Sequence, residues 1–297
     1  MNVYLFTLFT CKDYLTEDIY SSKASAIIRK NTQWITMQKR ILVTNDDGFE
    51  SEGLLALADA LRPLGHVTIV APTTEKSACG HSLTLTRPLR FVQIDDDFFK
   101  LDDGTPSDCV YLALHALFQE DCLPDLVISG INKGSNLGED ITYSGTAAAA
   151  MEAVLLGIPA IAISQVYDNG GETLESIGYG LAAQTAHDLA QKILEGTFPL
   201  QERRFLNVNI PPIPRTQCRG IRVTKLGKRM YANEAHLHRN PRGLEYYWLG
   251  APSLKWHENV DQDCDLSAIK EGYISITPIH LDMTAHEEIK ELEAWLK

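Results

Sequence analysis

The stretch from residue 40 to residue 72 decides the fold class: RILVTNDDGFESEGLLALADALRPLGHVTIVAP. Residues 40–44 are apolar and β-prone, and apolar residues recur at helical spacing over residues 54–61. Residues 66–72 then form a second apolar run that is typical of a buried strand. This strand–helix–strand order predicts two parallel strands joined by a right-handed crossover.

The remainder of the chain repeats this alternation. Further apolar strands are predicted at 125–129, 159–164 and 205–210, and helices at 106–118, 146–156 and 177–195. The pattern predicts an α/β fold with a doubly wound, mainly parallel, Rossmann-like sheet. After Pro214 the sequence changes to β-hairpin material with Gly and Pro in its turn, followed by a helix at about 285–296.

The sequence divides into three regions. Residues 1–36 are interpreted as an N-terminal extension outside the fold, residues 38–214 as the α/β core, and residues 215–297 as a C-terminal hairpin, strand and helix. The extension has an apolar stretch at residues 3–11, but no basic region precedes it, so it is a poor secretion signal. The C-terminal region is interpreted as an oligomerisation arm.

Composition limits the classes of function. The formal net charge of −12 argues against a nucleic-acid-binding surface, because binding to the phosphate backbone normally needs a clustered basic face. No apolar run approaches the roughly 20 residues that span a bilayer, so no membrane association is expected. The six cysteines are scattered without a C-x-x-C pair, which fits reduced thiols, and a cytoplasmic location is expected.

Unusual loops follow several of the predicted strands. In a doubly wound sheet, ligands bind outside the carboxyl ends of the strands, so these loops should converge. The loops are TNDDG (44–48), APTTEKSACGHSLT (71–84), GTPSDC (104–109) and SGINKGSNLGEDITYSGT (129–146). Thr105, Pro106 and Asp108 in the third loop form a helix-capping signature, so this loop is assigned mainly a structural role.

The first of these loops carries two adjacent carboxylates, Asp46 and Asp47. Side by side they repel each other unless a cation neutralises them, which indicates a hard divalent ion with oxygen ligands. Ser77 and Asn132, in other loops, could add neutral oxygens. No histidine or cysteine lies within a few residues of the pair, which favours Mg²⁺ or Mn²⁺ over zinc. The alternative is a solvated turn, since Asn, Asp and Gly are the commonest turn residues.

The loop of residues 129–146 is suited to an anion. Its glycines leave backbone N–H groups exposed, and these groups can surround a phosphate. SGT (144–146) then opens the helix AAAAMEAVLL, whose N-terminus adds partial positive charge. The alternative is a flexible surface loop followed by an ordinary Ser/Thr helix cap.

Six motifs, taken in order, resemble the SurE family. They are ILVTNDDG (41–48), SACGHSLT (77–84), GTPSDCVYLAL (104–114), PDLVISGINKGSNLG (124–138), YSGTAAAAMEA (143–153) and GYISITPIHLDMT (272–284). The resemblance extends from about residue 39 to the C-terminus. It implies a metal-dependent 5'-nucleotidase that hydrolyses nucleoside monophosphates to nucleoside and phosphate, with water as the nucleophile.

The resemblance also implies a site. One divalent cation per subunit, Mg²⁺ or Mn²⁺, would be held by Asp46, Asp47, Ser77 and Asn132, and the two aspartates would be the catalytic residues. The phosphate would lie beside Asn136, Ser144, Gly145 and Thr146. The family implies a homodimer or homotetramer formed by exchange of C-terminal elements. One departure is that APTTEK (71–76) lacks the Asp-Arg pair often found after Ala-Pro, so no cationic contact is assigned to it.

Three alternatives stay open on the sequence alone. An aspartyl-phosphate mechanism would make Asp46 or Asp47 the nucleophile. A zinc-dependent deacetylase-like hydrolase also has paired aspartates after a first strand, although the missing neighbouring histidine counts against it. A non-catalytic nucleotide-binding module is the third, but a dinucleotide-binding loop would need G-x-G-x-x-G where this sequence has NDDGFE (45–50).

Overall fold

The structure is a computed structural model that describes residues 38–118, 122–167, 177–230, 235–249, 255–256 and 262–297. The extension expected at residues 1–36 lies outside the described residues. The strands are β1 (Arg40–Thr44), β2 (His66–Pro72), β3 (Arg90–Asp95), β4 (Phe98–Asp102), β5 (Leu126–Lys133), β6 (Ala160–Gln165), β7 (Arg204–Ile210), β8 (Ile221–Val223), β9 (Arg229–Met230), β10 (Ala235–Arg239), β11 (Glu245–Leu249), β12 (Lys255–Trp256) and β13 (Ile274–His280). The helices are α1 (Glu52–Leu61), α2 (Pro106–Leu112), α3 (Gly145–Leu155), α4 (Gly180–Leu194), α5 (Asp265–Lys270) and α6 (Ile289–Trp295).

Nine of these strands form the main sheet, in the order β3-β4-β2-β1-β5-β6-β7-β13-β8. Neighbours pair in parallel, except that β3 is antiparallel to β4 and β13 is antiparallel to β7. Because β1 is followed in sequence by β2 on one side and is flanked by β5 on the other, the direction of winding reverses between β1 and β5. The doubly wound, mainly parallel sheet predicted from the sequence is therefore confirmed.

Helices cover both faces of the sheet. On one face, apolar residues of α1 and α4 pack against alternate residues of the central strands. On the other face α2 and α3 pack against the remaining residues of the same strands, which explains why these strands are apolar throughout. Residues 147–150 of α3 are alanines that are at most 1% exposed, and their small side chains let this helix lie close to the sheet.

The start of α2 shows the capping box expected from GTPSDC. The Asp108 N–H donates to Thr105 Oγ1 at 3.1 Å, and the Thr105 N–H donates to Asp108 Oδ2 at 2.9 Å. Asp108 also accepts the backbone N–H of Thr84 at 2.8 Å, so the cap holds the end of the 71–84 loop. The structural role assigned to this motif is confirmed.

The C-terminal region contributes to the main sheet as well as to separate hairpin structure. β10 and β11 form the predicted antiparallel hairpin, with Asn240, Pro241 and Gly243 in the connection. β13 pairs with β7, and β8 pairs with β13, so the sheet continues past the expected boundary at residue 214. The role of this region in oligomerisation stays a prediction.

Several elements differ from the sequence-based expectation. β3 and β4 were not expected, and their residues are mostly partly or fully exposed, so they lack the apolar runs of the central strands. The helix expected at 106–118 ends at Leu112 and continues as a π-helical turn over Ala113–Leu117. The C-terminal helix is shorter than predicted. Among the helices of the described ranges, none combines the length and apolar character needed to span a bilayer.

Candidate active site

The candidate site lies where the direction of winding reverses, at the carboxyl ends of β1 and β5. This is the position at which doubly wound sheets form a ligand-binding crevice. Thr44 and Ser129 are register partners on these two strands; β1 ends at Thr44, whereas β5 continues past Ser129 to Lys133, so the loop after β1 lies beside the last residues of β5. Asp46 and Asp47 follow β1, and Asn132 lies near the end of β5.

Asp46 is held by the first turn of α3. Its side chain is 4% exposed, and the Thr146 hydroxyl donates to its Oδ1 atom at 2.5 Å. The backbone carbonyl of Asp46 accepts the Lys76 N–H at 2.7 Å, which brings the 71–84 loop to the same point. Gly145 is packed so closely that a Cβ atom there would lie 2.9 Å from Asp46 Oδ2. The acidic loop, the 71–84 loop and the N-terminus of α3 therefore meet at one carboxylate.

Asp47 is held by the end of β5. The Lys133 N–H donates to Asp47 Oδ2 at 2.8 Å, which places the neighbouring Asn132 beside the acidic pair. The Asn132 side-chain amide donates to the Gly134 carbonyl at 3.0 Å. That bond uses the amide nitrogen of Asn132, so the side-chain oxygen is the atom left to act as a ligand.

The electrostatics of the acidic pair disfavour two negative charges. Burial raises the pKa of Asp46 to about 6; the Thr146 hydrogen bond opposes this shift, and the charge of Asp47 adds to it. Burial also raises the pKa of Asp47, against the effect of the Lys133 N–H, and the nearby Glu75 raises it further. A bound cation would stabilise both ionised carboxylates, because an opposite charge favours the charged form.

The available donor atoms fit a hard divalent cation. Carboxylate, amide and hydroxyl oxygens are the ligands that Mg²⁺ and Mn²⁺ prefer, whereas zinc sites are usually rich in nitrogen and sulfur. Within the part of the chain that the structure describes, no group of three or more His, Cys, Asp and Glu side chains is placed to hold a metal. The candidate ligands include only two side chains of these types, Asp46 and Asp47, and the other ligand atoms would be neutral oxygens.

Comparison with known proteins places this site in a family context. The family described as "Survival protein SurE" matches residues 41–233. The chain belongs to the SurE family. A "5'-nucleotidase SurE" of Sulfurovum sp. is 63% identical over 262 residues, which cover 88% of this chain and 99% of that protein. A "5'-nucleotidase SurE" of Helicobacter hepaticus is 58% identical over 263 residues, which cover 87% of this chain and 99% of that protein.

A solved structure gives the same result for the fold. The crystal structure of the SurE protein from Aquifex aeolicus matches with a TM-score of 0.74 and 42% sequence identity. The match covers 87% of this chain and 100% of that one. The resemblance to SurE seen in the sequence motifs is therefore confirmed, and it extends to the three-dimensional arrangement.

Two serines of the implied SurE site have other partners in this structure. The exposed Ser77 hydroxyl donates to Glu75 Oε1 at 2.6 Å, although the preceding residue contacts Asp46 through its backbone. The Ser144 hydroxyl caps α3 by accepting the Ala147 N–H at 2.9 Å. Both serines lie in segments that reach the acidic pair, and their roles as metal and phosphate ligands stay predictions.

Asn136 is placed differently from the other implied SurE site residues. It is 7% exposed, its N–H donates to Asn209 Oδ1 at 2.9 Å, and its amide nitrogen donates to Ser164 Oγ at 2.7 Å. Its carbonyl accepts from the side chains of Asn207 and Asn209 at 2.8 and 3.1 Å. These bonds fix Asn136 over β6 and β7, two or more strands from β1. A substrate contact by this residue stays a prediction.

Some neighbours of the acidic pair are not among the site residues predicted from the sequence. Cys79 Sγ would lie 3.0 Å from a Cβ atom at Gly145, so the thiol is beside Asp46, whose charge adds to the effect of burial in raising the pKa of Cys79. Tyr179, which precedes α4, has its pKa raised to about 12 by burial and by the charge of Asp47. The backbone N–H of Lys133 leaves no signal in a sequence. Cys79 lies in the motif SACGHSLT, but the sequence offers no base beside it that would mark it as reactive, and nothing in the sequence marks Tyr179 as a neighbour of Asp47.

Proposed function

We propose that the protein is a metal-dependent 5'-nucleotidase that hydrolyses nucleoside monophosphates to nucleoside and phosphate. The observation that carries this proposal is the contact of Thr146 with Asp46, which joins the acidic loop to the N-terminus of α3. A cation site that lies beside the anion-binding N-terminus of a helix suits a phosphate ester. The name 5'-nucleotidase, which two close relatives carry, supports the same substrate class.

The proposed cation, one Mg²⁺ or Mn²⁺ per subunit, would be held by Asp46, Asp47, Ser77 and Asn132. When bound, such an ion polarises a phosphoryl oxygen and lowers the pKa of a water molecule. Thr146 keeps the Asp46 carboxylate in one orientation, and the Lys133 N–H does the same for Asp47. The protein thereby fixes both charged ligands before the substrate arrives.

The phosphate would lie beside Ser144, Gly145 and Thr146. The positive end of the α3 dipole faces this point, and it would stabilise negative charge on the phosphoryl oxygens as the bond to the leaving nucleoside breaks. Gly145 leaves the space that a side chain would take from Asp46 and its neighbours. The N-terminus of α3 would thus supply positive electrostatic potential beside the acidic pair, in a position that is fixed before the substrate binds.

Water is proposed as the attacking group, rather than one of the aspartates. Asp46 is 4% exposed and its Oδ1 atom is bonded to Thr146, so it is poorly placed to attack phosphorus. Asp47 is bonded to the Lys133 N–H through Oδ2. One oxygen of each carboxylate is thus engaged, and the second oxygen is the one proposed to bind the cation, which leaves water as the attacking group.

The test is an assay of metal-stripped protein for phosphate release from a panel of nucleoside monophosphates. Mg²⁺, Mn²⁺ and Zn²⁺ are added separately. We expect no activity without metal and the highest activity with Mg²⁺ or Mn²⁺, because hard oxygen ligands suit these ions. Activity confined to Zn²⁺, or no phosphate release from any nucleoside monophosphate, would overturn the proposal.

We further propose that the protein forms a homodimer or homotetramer by exchange of C-terminal elements. The helix α6 supports this, because its residues Leu292 and Trp295 and the following Leu296 are exposed apolar residues. Removal of residues 285–297 is expected to lower the mass in solution, measured by light scattering, while circular dichroism of the α/β core is retained. An unchanged mass would count against an exchanged arm.

A further inference from the structure

A buried carboxylate of the C-terminal region contacts the glycine-containing loop of the candidate site. Asp265, the first residue of α5, is 0% exposed, and its Oδ2 atom accepts the Gly138 N–H at 2.7 Å. Its other oxygen, Oδ1, accepts the N–H groups of Gly227 and Leu266, each at 2.9 Å. One side chain therefore joins three separate backbone segments. A buried carboxylate that accepts three N–H groups is costly to disturb, because each lost bond leaves a buried polar group without its partner.

Two glycines beside Asp265, Gly138 and Gly227, could not carry a side chain unless neighbouring atoms moved. Gly138 has a φ of +56°, and a Cβ atom there would lie 2.6 Å from the Gly227 carbonyl oxygen. A Cβ atom at Gly227 would in turn lie 2.4 Å from Leu266 Cδ1. The two glycines let the site loop and the C-terminal region approach to backbone contact, and Asp265 fixes them there.

Gly138 connects the contact with Asp265 to the start of α3. It begins the 3-10 helix Gly138–Thr142, which leads directly into Ser144, the N-cap residue of α3. Leu137, on the other side, is 2% exposed and packs against Cys264 and Leu266. A shift of the Gly138 anchor would therefore move the chain that enters the N-terminus of α3.

We propose that Asp265 is a positioning residue that orients the phosphate-binding loop through Gly138, so that the C-terminal region is required for substrate binding. The inference rests on the proposed function, in which residues 144–146 lie beside the phosphate. Asp265 acts from outside the reacting groups, because its bonds go to backbone N–H groups. Its effect should therefore appear in the affinity for phosphate and substrate more than in the affinity for metal.

The variant Asp265→Asn tests this directly. An asparagine can keep its oxygen on the Gly227 and Leu266 N–H groups, but it then turns an NH₂ group towards the Gly138 N–H, and two donors repel. We expect KM for adenosine monophosphate and the inhibition constant of inorganic phosphate to rise about tenfold, equivalent to about 1.4 kcal/mol. The Mn²⁺ concentration for half-maximal activity should change less than about twofold. A larger change is expected when a metal ligand loses a hydrogen-bond partner, and Asp265 bonds instead to Gly138, Gly227 and Leu266.

Glu271→Gln is the matched control. Glu271 follows α5 and pairs with Arg222 at 2.9 Å, so this variant makes the same carboxylate-to-amide change at the other end of the helix. Its KM should equal that of the wild type. If Asp265→Asn lowers the melting temperature but leaves KM and the phosphate inhibition constant unchanged, Asp265 is merely structural and the proposal is overturned.

A second variant and a second measurement cover the remaining outcomes. If Asp265→Asn fails to fold, Gly138→Ala replaces it as the test. This variant strains the same contact from the loop side and should raise KM in the same way. Hydrogen exchange over residues 134–142 should be faster in Asp265→Asn than in Glu271→Gln. A wild type that releases no phosphate overturns the proposed function, whereas the exchange comparison still decides whether Asp265 holds the loop. Equal exchange in the two variants would show that it does not.

Discussion

Replacing Asp47 with asparagine is expected to lower phosphate release by more than about a hundredfold, since losing even a hydrogen-bond partner of a metal ligand costs about 10- to 100-fold. Asparagine keeps the size of the side chain and an oxygen that can accept the Lys133 N–H, now 2.8 Å from Asp47 Oδ2. It removes one negative charge beside the proposed cation. Steady-state kinetics over a Mn²⁺ titration should show a higher half-saturating Mn²⁺ concentration and a lower kcat.

The same variant should not unfold the protein. Without metal, the wild type holds the buried Asp46 carboxylate beside the partly buried Asp47 carboxylate; burial raises the pKa of both, and repulsion by the charge of Asp47 raises the pKa of Asp46 further. Relief of this repulsion should increase the free energy of unfolding of the metal-free protein by a few tenths to about 1 kcal/mol, measured by urea denaturation in chelator. Asp59→Asn, an exposed change on α1, is the control and should keep full activity. Full metal-dependent activity in Asp47→Asn, with lower stability, would instead show that NDDG is a structural turn.

The central part of the fold could be predicted because its strands are buried on both faces. Residues 40–44 and 66–72 were expected as strands and are β1 and β2, since continuous apolar runs leave few other structures possible. β3 and β4 could not be predicted in this way. Their side chains are largely exposed at one edge of the sheet, so nothing in their hydrophobic pattern separates them from a loop.

The site could be predicted as a set of loops but not as a set of contacts. Topology brings the ends of β1 and β5 together, and this follows from the order of the strands. The bond between Thr146 and Asp46 joins residues that are 100 positions apart, and the bond from Gly138 to Asp265 spans 127. Periodicity indicates which face of an element is buried, but not which polar atoms meet across such separations. Asn136 shows the same limit, because its partners on β6 and β7 are visible only in the structure.

Replacing Gly145 with alanine is expected to reduce activity about a hundredfold, because a displacement of about 1 Å in a reacting group can cost that much. A Cβ atom at this position would lie 2.8 Å from Asp46 Cβ and 2.9 Å from Asp46 Oδ2. The added methyl group must therefore push the carboxylate away from Thr146 or move the start of α3. Overpacking of this kind costs about 1–3 kcal/mol, so the melting temperature should fall while circular dichroism shows a folded protein.

Gly180→Ala is the matched control for Gly145→Ala, because each glycine is the first residue of a helix. Among the described residues, no atom outside the backbone of this helix and the adjoining residues lies within 4 Å of a Cβ at Gly180, so this variant should keep full activity. A Cβ at Gly145 would also lie 3.0 Å from Cys79 Sγ. A further substitution therefore tests whether crowding at Asp46 or crowding at Cys79 causes the loss of activity. Cys79→Ala removes the sulfur but leaves the contact with Asp46, and so it should not restore activity to Gly145→Ala. Restoration by Cys79→Ala would mean that crowding at the thiol, rather than displacement of the Asp46 carboxylate, caused the loss.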